Sequence, residues 1–355
     1  MLVAACASPS GGSPGSAPPS GPGSPPPSGA IVTDPSGFLD PVSPAPTGAL
    51  TIYSGRSEEL VGPLIERFRV ETGLDVQVKY GSTSEIAATI LEEGDASPAD
   101  VFLAQDAGAL GAVAKEGRFV SLPTTALDLV EARFRADDGL WVGVTGRARV
   151  AAYDTRVLSV ADLPASIFDL TDPKWKGRVG WAPTNGSFQA FVTALRVLRG
   201  DADAKAWLEA MQANEPKVYE GNDAIIAAIA AGDVEIGLVN HYYALRQIAE
   251  QGESFPVRNH YFAAGDPGAL VNVSGVGILA TSKNPTAAQA FVEYLLGSEG
   301  QTYFAETESE YPLVAGISLG ANVKPLDEVG SPEIDLSDLD DLKGTLRLLQ
   351  DAGVL

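Results

Sequence analysis

From Ala49 onward the chain alternates two kinds of hydrophobic spacing. Short β-branched and aromatic runs, ALTIYS at 49–54, DVQVKY at 75–80 and ADVFLA at 99–104, are each followed by a stretch whose apolar residues recur at helical intervals. After the first run, Leu60, Leu64, Ile65 and Phe68 fall on one helical face, with Ser57 as N-cap. IAATILEEG and AGALGAVAKEG supply the next two helices. This βαβαβα order predicts an open, mainly parallel sheet with helices on both faces. A second block repeats it: RVGWAP (178–183) and VEIGLVN (234–240) read as strands, and FQAFVTALRVLRG, AKAWLEAMQAN and AIIAAIAAG as the helices between them. Two longer β-rich segments, WVGVTGRARVAAYD (141–154) and GALVNVSGVGILA (268–280), join the blocks. If the chain crosses between two α/β lobes at both, the outcome is a clamshell with a cleft. Helices close the pattern at PTAAQAFVEYLLG and DLKGTLRLLQDAG, and the acidic run from Glu333 to Asp341 reads as a polar surface segment.

The first 48 residues lack either period. ASPSGGSPGSAPPSGPGSPPPSGA is a Pro/Ser/Gly tract that cannot bury apolar area, so residues 7–48 are expected to be a disordered linker. Extended at about 3.1 Å per residue, such a linker reaches on the order of 100 Å. Before it lies MLVAACAS, which resembles the end of a truncated bacterial lipoprotein signal over residues 1–6, with Cys6 as the lipidated residue. Cys6 is the single cysteine, so an intrachain disulfide and a Cys-based metal cluster are both excluded.

Charge narrows the partners. Lys and Arg total 24 against 46 Asp and Glu, a formal charge of −22, which argues against a phosphate-backbone partner. Enzyme signatures are scarce. The histidines are His241 and His260, and there is no HExxH, no GxxxxGK[ST], no GxSxG and no cysteine nucleophile in the folded part.

Positive signals sit where helices begin. WAPTNGSFQAF passes from strand to helix through Thr184, Asn185, Gly186 and Ser187, small residues that let backbone N–H groups reach an anion at the positive helix end. GNDAIIAAI repeats the arrangement with Asn222 as N-cap, and such segments also serve as plain capping motifs. LVNHYYALR sets Tyr242 beside Tyr243. Neighbouring strand residues point to opposite faces, so the pair converges only at a strand end or in a loop. There two phenolates would be hard anionic donors suited to a small, highly charged cation such as ferric iron, whereas a bare tyrosine pair, taken alone, more often puts one ring in a core and the other at its edge.

TIYSGR (51–56), EEGDASPADVFLAQD (92–106), GVTGRARVAAYDTRVL (143–158), LTDPKWKGRVGWAPTNGSF (170–188), LVNHYY (238–243), GDPGALVNVSGVGIL (265–279) and ESEYPL (308–313) together resemble the periplasmic ferric-ion-binding proteins, substrate-binding components of iron ABC importers. The resemblance runs from residue 49 to the C-terminus. It implies the type II periplasmic-binding-protein clamshell with a hinge of two β crossovers, lobe 1 at 49–146 plus 273–323 and lobe 2 at 147–272 plus 324–355. It also implies Fe³⁺ held by Tyr242 and Tyr243 with a synergistic anion, carbonate, phosphate or citrate, on Asn185, Gly186, Ser187, Asn222 and Asn240. A histidine and a glutamate that well-known members add fall here at Ser57 and Gln105, with Glu58, Glu59 and Asp106 as nearby carboxylates able to substitute. A monomer outside the cytoplasm, lipid-anchored and delivering iron to a permease and its ATPase, is the implied role. A metal-free binding protein for an oxyanion or small organic anion, and a secreted α/β hydrolase, are the alternatives.

Overall fold

The computed structural model describes residues 46–355 apart from residue 321. Cys6, the signal remnant and the tract up to residue 45 lie outside the described residues.

In chain order the elements are β1 (Ala49–Ser54), α1 (Glu58–Thr72), β2 (Asp75–Tyr80), α2 (Thr83–Glu93), β3 (Val101–Ala104), α3 (Ala107–Lys115), β4 (Phe119–Val120), α4 (Thr124–Leu127) and β5 (Val142–Asp154). Then come β6 (Val179–Trp181), α5 (Gly186–Arg199), α6 (Asp201–Ala213), β7 (Lys217–Val218), α7 (Asn222–Ala231), β8 (Ile236–Asn240), α8 (His241–Gln251) and β9 (Val257–His260). The chain finishes with β10 (Val271–Leu279), α9 (Pro285–Leu296), α10 (Ser298–Glu306), β11 (Tyr311–Pro312), α11 (Leu326–Val329) and α12 (Leu342–Asp351). The strand order is β2-β1-β3-β10-β5-β8-β6-β7, parallel where β1 meets β2 and β3 and where β6 meets β7 and β8. The two long segments, β5 and β10, are the antiparallel centre that joins those halves. Both are buried along their whole length, including the polar residues Thr145, Arg147, Arg149 and Asp154 of β5 and Asn272 and Ser274 of β10.

Local chemistry sets the element ends. In α1 the buried face is Val61, Leu64, Ile65 and Phe68, the i, i+3, i+4, i+7 stripe, and Gly73 closes the helix at φ 70°. Leu60 is only half-buried, one position off the expected stripe. The start of the folded body is pinned by Asn284, whose side-chain amide donates to Thr47 O at 2.7 Å.

The run from Glu333 to Asp341 is not the plain surface segment expected of it. Leu336 and Leu339 are buried in a 3₁₀ turn, Leu336–Asp340, that packs between α3 and α5. The contact needs Gly108 in α3, where a Cβ would lie 2.2 Å from Leu339 O. Five acidic side chains in that run masked two apolar anchors spaced for one face of a turn.

Candidate functional site

The central strands aim two arginines at one place. Arg147 and Arg149 are two apart on β5, so they share a face, and both are buried. Arg147 stands opposite Asn272 of β10, and Arg149 opposite Asn240 at the end of β8. Neither forms an ion pair among the described residues. Arg147 instead donates to the carbonyls of Gln105 and Val273, with its Nε unpartnered. Burial pushes the Arg149 guanidinium down to about 9, the phenol oxygens of Tyr243 and Tyr242 opposing the shift.

Arg149 gathers three helix starts. Its Nη1 donates to Ser187 Oγ at 3.4 Å, Asn222 Oδ1 at 3.4 Å and Asn240 Oδ1 at 3.0 Å, while Nη2 donates to Leu238 O at 3.0 Å. Ser187 lies in the first turn of α5, Asn222 begins α7 and Asn240 precedes α8, so three positive helix ends meet at one guanidinium. Asn185 caps α5 by accepting from Ser187 N at 3.0 Å. Asn222 does not cap its helix as expected: Gly221 occupies that position, and the Asn222 amide donates to Ser187 Oγ at 3.3 Å instead. Unneutralised guanidinium, helix N-termini and small residues are the recipe for holding an anion.

Beside this cradle lie the tyrosines. They occupy the first turn of α8 directly after β8, rather than a loop, with ring centroids 4.3 Å apart and planes 27° apart. Tyr242 is 1% exposed and its hydroxyl has no hydrogen-bond partner. An orphaned buried hydroxyl costs about 1–3 kcal/mol, which a ligand at that oxygen would offset. Burial, then the neighbouring Tyr242 and Asp223, push the Tyr243 phenol well above its ordinary 10, against the pull of Arg147. A cation binding there must displace the proton. His241, fully buried behind them, stacks on Tyr311 at 4.5 Å and accepts from Ala148 N at 3.3 Å; burial drives its pKa down to about 4, so it is neutral.

The facing wall comes from the β1–β3 half. Thr83 Oγ1 donates to Gly55 O at 2.9 Å and accepts from Gln105 N at 3.1 Å, tying the loops after β1 and β3 together. A cavity of about 270 Å³ lies between the walls, lined among others by Gly55, Thr83, Gln105, Asp106, Arg147 and the two tyrosines. Asp106 caps α3 through Ala109 N at 3.1 Å, and burial raises its pKa against the pull of Arg147. Among the described residues no group of three or more His, Cys, Asp or Glu side chains is arranged to hold a metal ion.

The model for the bacterial extracellular solute-binding proteins matches residues 96–329. The chain is 37% identical over 309 residues to the Fe(3+)-binding periplasmic protein of Serratia marcescens, covering 86% of this chain and 90% of that one. It is 33% identical over 310 residues to the major ferric iron-binding protein of Neisseria meningitidis serogroup B, covering 86% and 93%. The chain belongs to the periplasmic ferric-ion-binding protein family. Solved structures of this type II fold superimpose on most of the chain. Iron-bound HitA from Pseudomonas aeruginosa gives a TM-score of 0.81 at 36% identity, covering 87% of this chain and 100% of HitA. A Trichodesmium protein in complex with iron and citrate gives 0.74 at 31% identity, covering 87% and 100%. The family is one of solute-binding proteins, so the hydrolase alternative falls away.

Of the residues that the family resemblance singled out, Tyr242, Tyr243, Asn185, Gly186, Ser187, Asn240, Gln105 and Asp106 line one cavity, and Asn222 is joined to it through Arg149 and Ser187. Ser57 and Glu58 do not line it. Ser57 is exposed at the start of α1, and Glu58 faces the outer groove between α1 and β2 that Tyr80 also lines. Arg147 and Arg149 escaped notice because charged residues two apart in a strand read as a solvent face. The buried register signal was the apolar identity of the positions between and around them.

Proposed function

We propose that this protein captures ferric iron outside the cytoplasm and passes it to an ABC permease with its ATPase, tethered by a lipid on Cys6. Tyr242 and Tyr243 supply two phenolate oxygens, and an exogenous anion seated on Asn185, Gly186, Ser187, Asn222 and Asn240, with Arg149 beneath, completes the coordination. The observation that carries this reading is the buried, unpartnered Tyr242 hydroxyl next to Tyr243 in a cavity also lined by Arg147, Asp106 and the start of α5.

The lobes are 49–146 with 273–323 and 147–272 with 324–355. The breaks fall at one level of adjacent strands, where Gly146 pairs with Val273 and Arg147 with Asn272. Bending there swings the tyrosine wall against the Gln105 wall. Adding Fe³⁺ with carbonate, phosphate or citrate to the purified protein tests the assignment. A tyrosinate-to-iron charge-transfer band in the visible is expected; anion binding without iron, and no band with it, would favour the metal-free alternative.

A further inference from the structure

Helix α8 carries a charged residue one turn beyond the tyrosines. Arg246 is four residues after Tyr242 and three after Tyr243, so it rides on the same helix face. That face looks across the cleft mouth. Arg246 Nη2 lies 3.6 Å from Glu59 Oε1 on α1, and Nη1 lies 3.9 Å from Glu308 Oε2 in the loop before β11. Both carboxylates belong to the wall opposite α8. The distances are within ion-pair range and beyond hydrogen-bond range, and Glu308 Oε2, though buried, has no hydrogen-bond partner. The neighbouring Arg56 does not satisfy it, being held by both oxygens of Glu310 at 2.8 and 2.9 Å. On its own side Arg246 interacts electrostatically with Asp223 of α7.

We infer that Arg246 is a positioning residue for cargo retention, a cross-cleft tie from the tyrosine helix to Glu59 and Glu308 that holds the two walls together over a bound ligand. When the walls part, Glu59 and Glu308 lose their cation while Arg246 keeps Asp223. The tie therefore favours the closed state only by the difference between those environments. Because the tie forms after the ligand is seated, it slows departure and leaves arrival unchanged. A pair between an exposed and a buried carboxylate is worth on the order of a threefold to tenfold change in release rate.

The inference rests on the ferric reading above, and the test separates the two. Iron release to a competing chelator is timed by the visible band in wild type, Arg246→Met, Arg246→Lys, Glu59→Gln and the Arg246→Met/Glu59→Gln double variant. Methionine keeps the packed stem, and the Glu59 change sits on an exposed side chain, so a folding failure in one leaves the other. Arg246→Met and Glu59→Gln are expected to speed release severalfold with the band position and association rate unchanged, Arg246→Lys to restore most of the wild-type rate, and the double variant to release no faster than Arg246→Met. Unchanged release in both single variants, or simple additivity, overturns the tie. If wild type shows no iron band at all, the ferric reading fails, and the tie is then judged by distance alone. Spin labels at Glu71→Cys and Glu209→Cys in a Cys6→Ser background report the separation of the halves. A shift to longer distances in Arg246→Met supports the tie, and identical distributions refute it.

Discussion

The two walls of the cleft are built from the same motif and do different chemistry. On each, strand ends lead into helix N-termini that face the cavity. The α5–α7–α8 wall adds two phenols, three asparagines and the buried Arg149. The α2–α3 wall adds only neutral hydroxyls, the Gln105 amide and Asp106, whose carboxylate already caps α3. Shared topology thus provides a favourable field for anions on both sides, while the proposed metal donors are concentrated on one. A fold positions loops; the residue types on those loops decide which side holds the charge.

Removing donors from the rich wall should have the largest effect. Tyr242→Phe or Tyr243→Phe keeps the ring stack and deletes an oxygen, so folding changes little while iron affinity falls by roughly 100-fold or more, beyond the effect of losing a supporting partner. Competition titration against a chelator measures it. Either variant binding like wild type would mean that its ring only packs.

Next comes the post behind that wall. Arg149→Met strands the carbonyl of Leu238 and leaves Ser187, Asn222 and Asn240 without their common donor. About 2–4 kcal/mol of stability should be lost in urea unfolding, and the anion's enhancement of iron binding should vanish with it. Loss of stability with the anion effect intact would assign Arg149 to the fold alone.

The balance between walls can also be shifted the other way. Gln105→Glu gives the poor wall a carboxylate at the cavity, and is expected to tighten iron binding about tenfold while lessening its dependence on added anion, both read by the same competition titration. No change would show that this side chain does not reach the metal.

A smaller effect concerns pH. His241 titrates near 4 when folded and near 6.5 when unfolded, so its contribution is complete above pH 6.5 and is lost as pH falls toward 4, by about 3 kcal/mol in the limit. His241→Gln should flatten that part of the urea-midpoint profile. A parallel profile in the variant would place the acid sensitivity elsewhere.

Much of this molecule was legible because its elements obey simple periods. The parallel βαβ runs, both long central strands and the major helices stand where hydrophobic spacing set them. The tyrosine pair was legible as a pair, but its setting was not. Adjacent strand residues diverge, and only the immediate start of α8 after Asn240 brings the rings together. Glu58 shows the converse. It lies three residues after Gly55 of the cavity wall, yet helix phase turns it to the outer groove. Arg147 and Arg149 were hidden by burial of β5 on both faces, a tertiary fact that alternation cannot report.

One-sidedness has a direct consequence for charge. In the proposed site two phenolates would leave one positive charge of Fe³⁺ unmet, and among the described residues Asp106, the one carboxylate lining the cavity, is already engaged as a cap. The decisive measurement is an Fe³⁺ titration in buffer stripped of carbonate, phosphate and citrate, repeated as each is restored. Weak binding that becomes tight on restoring an anion is the predicted result. Tight binding indifferent to all three, yet lost in Asp106→Asn, would contradict the account and make Asp106 the missing donor.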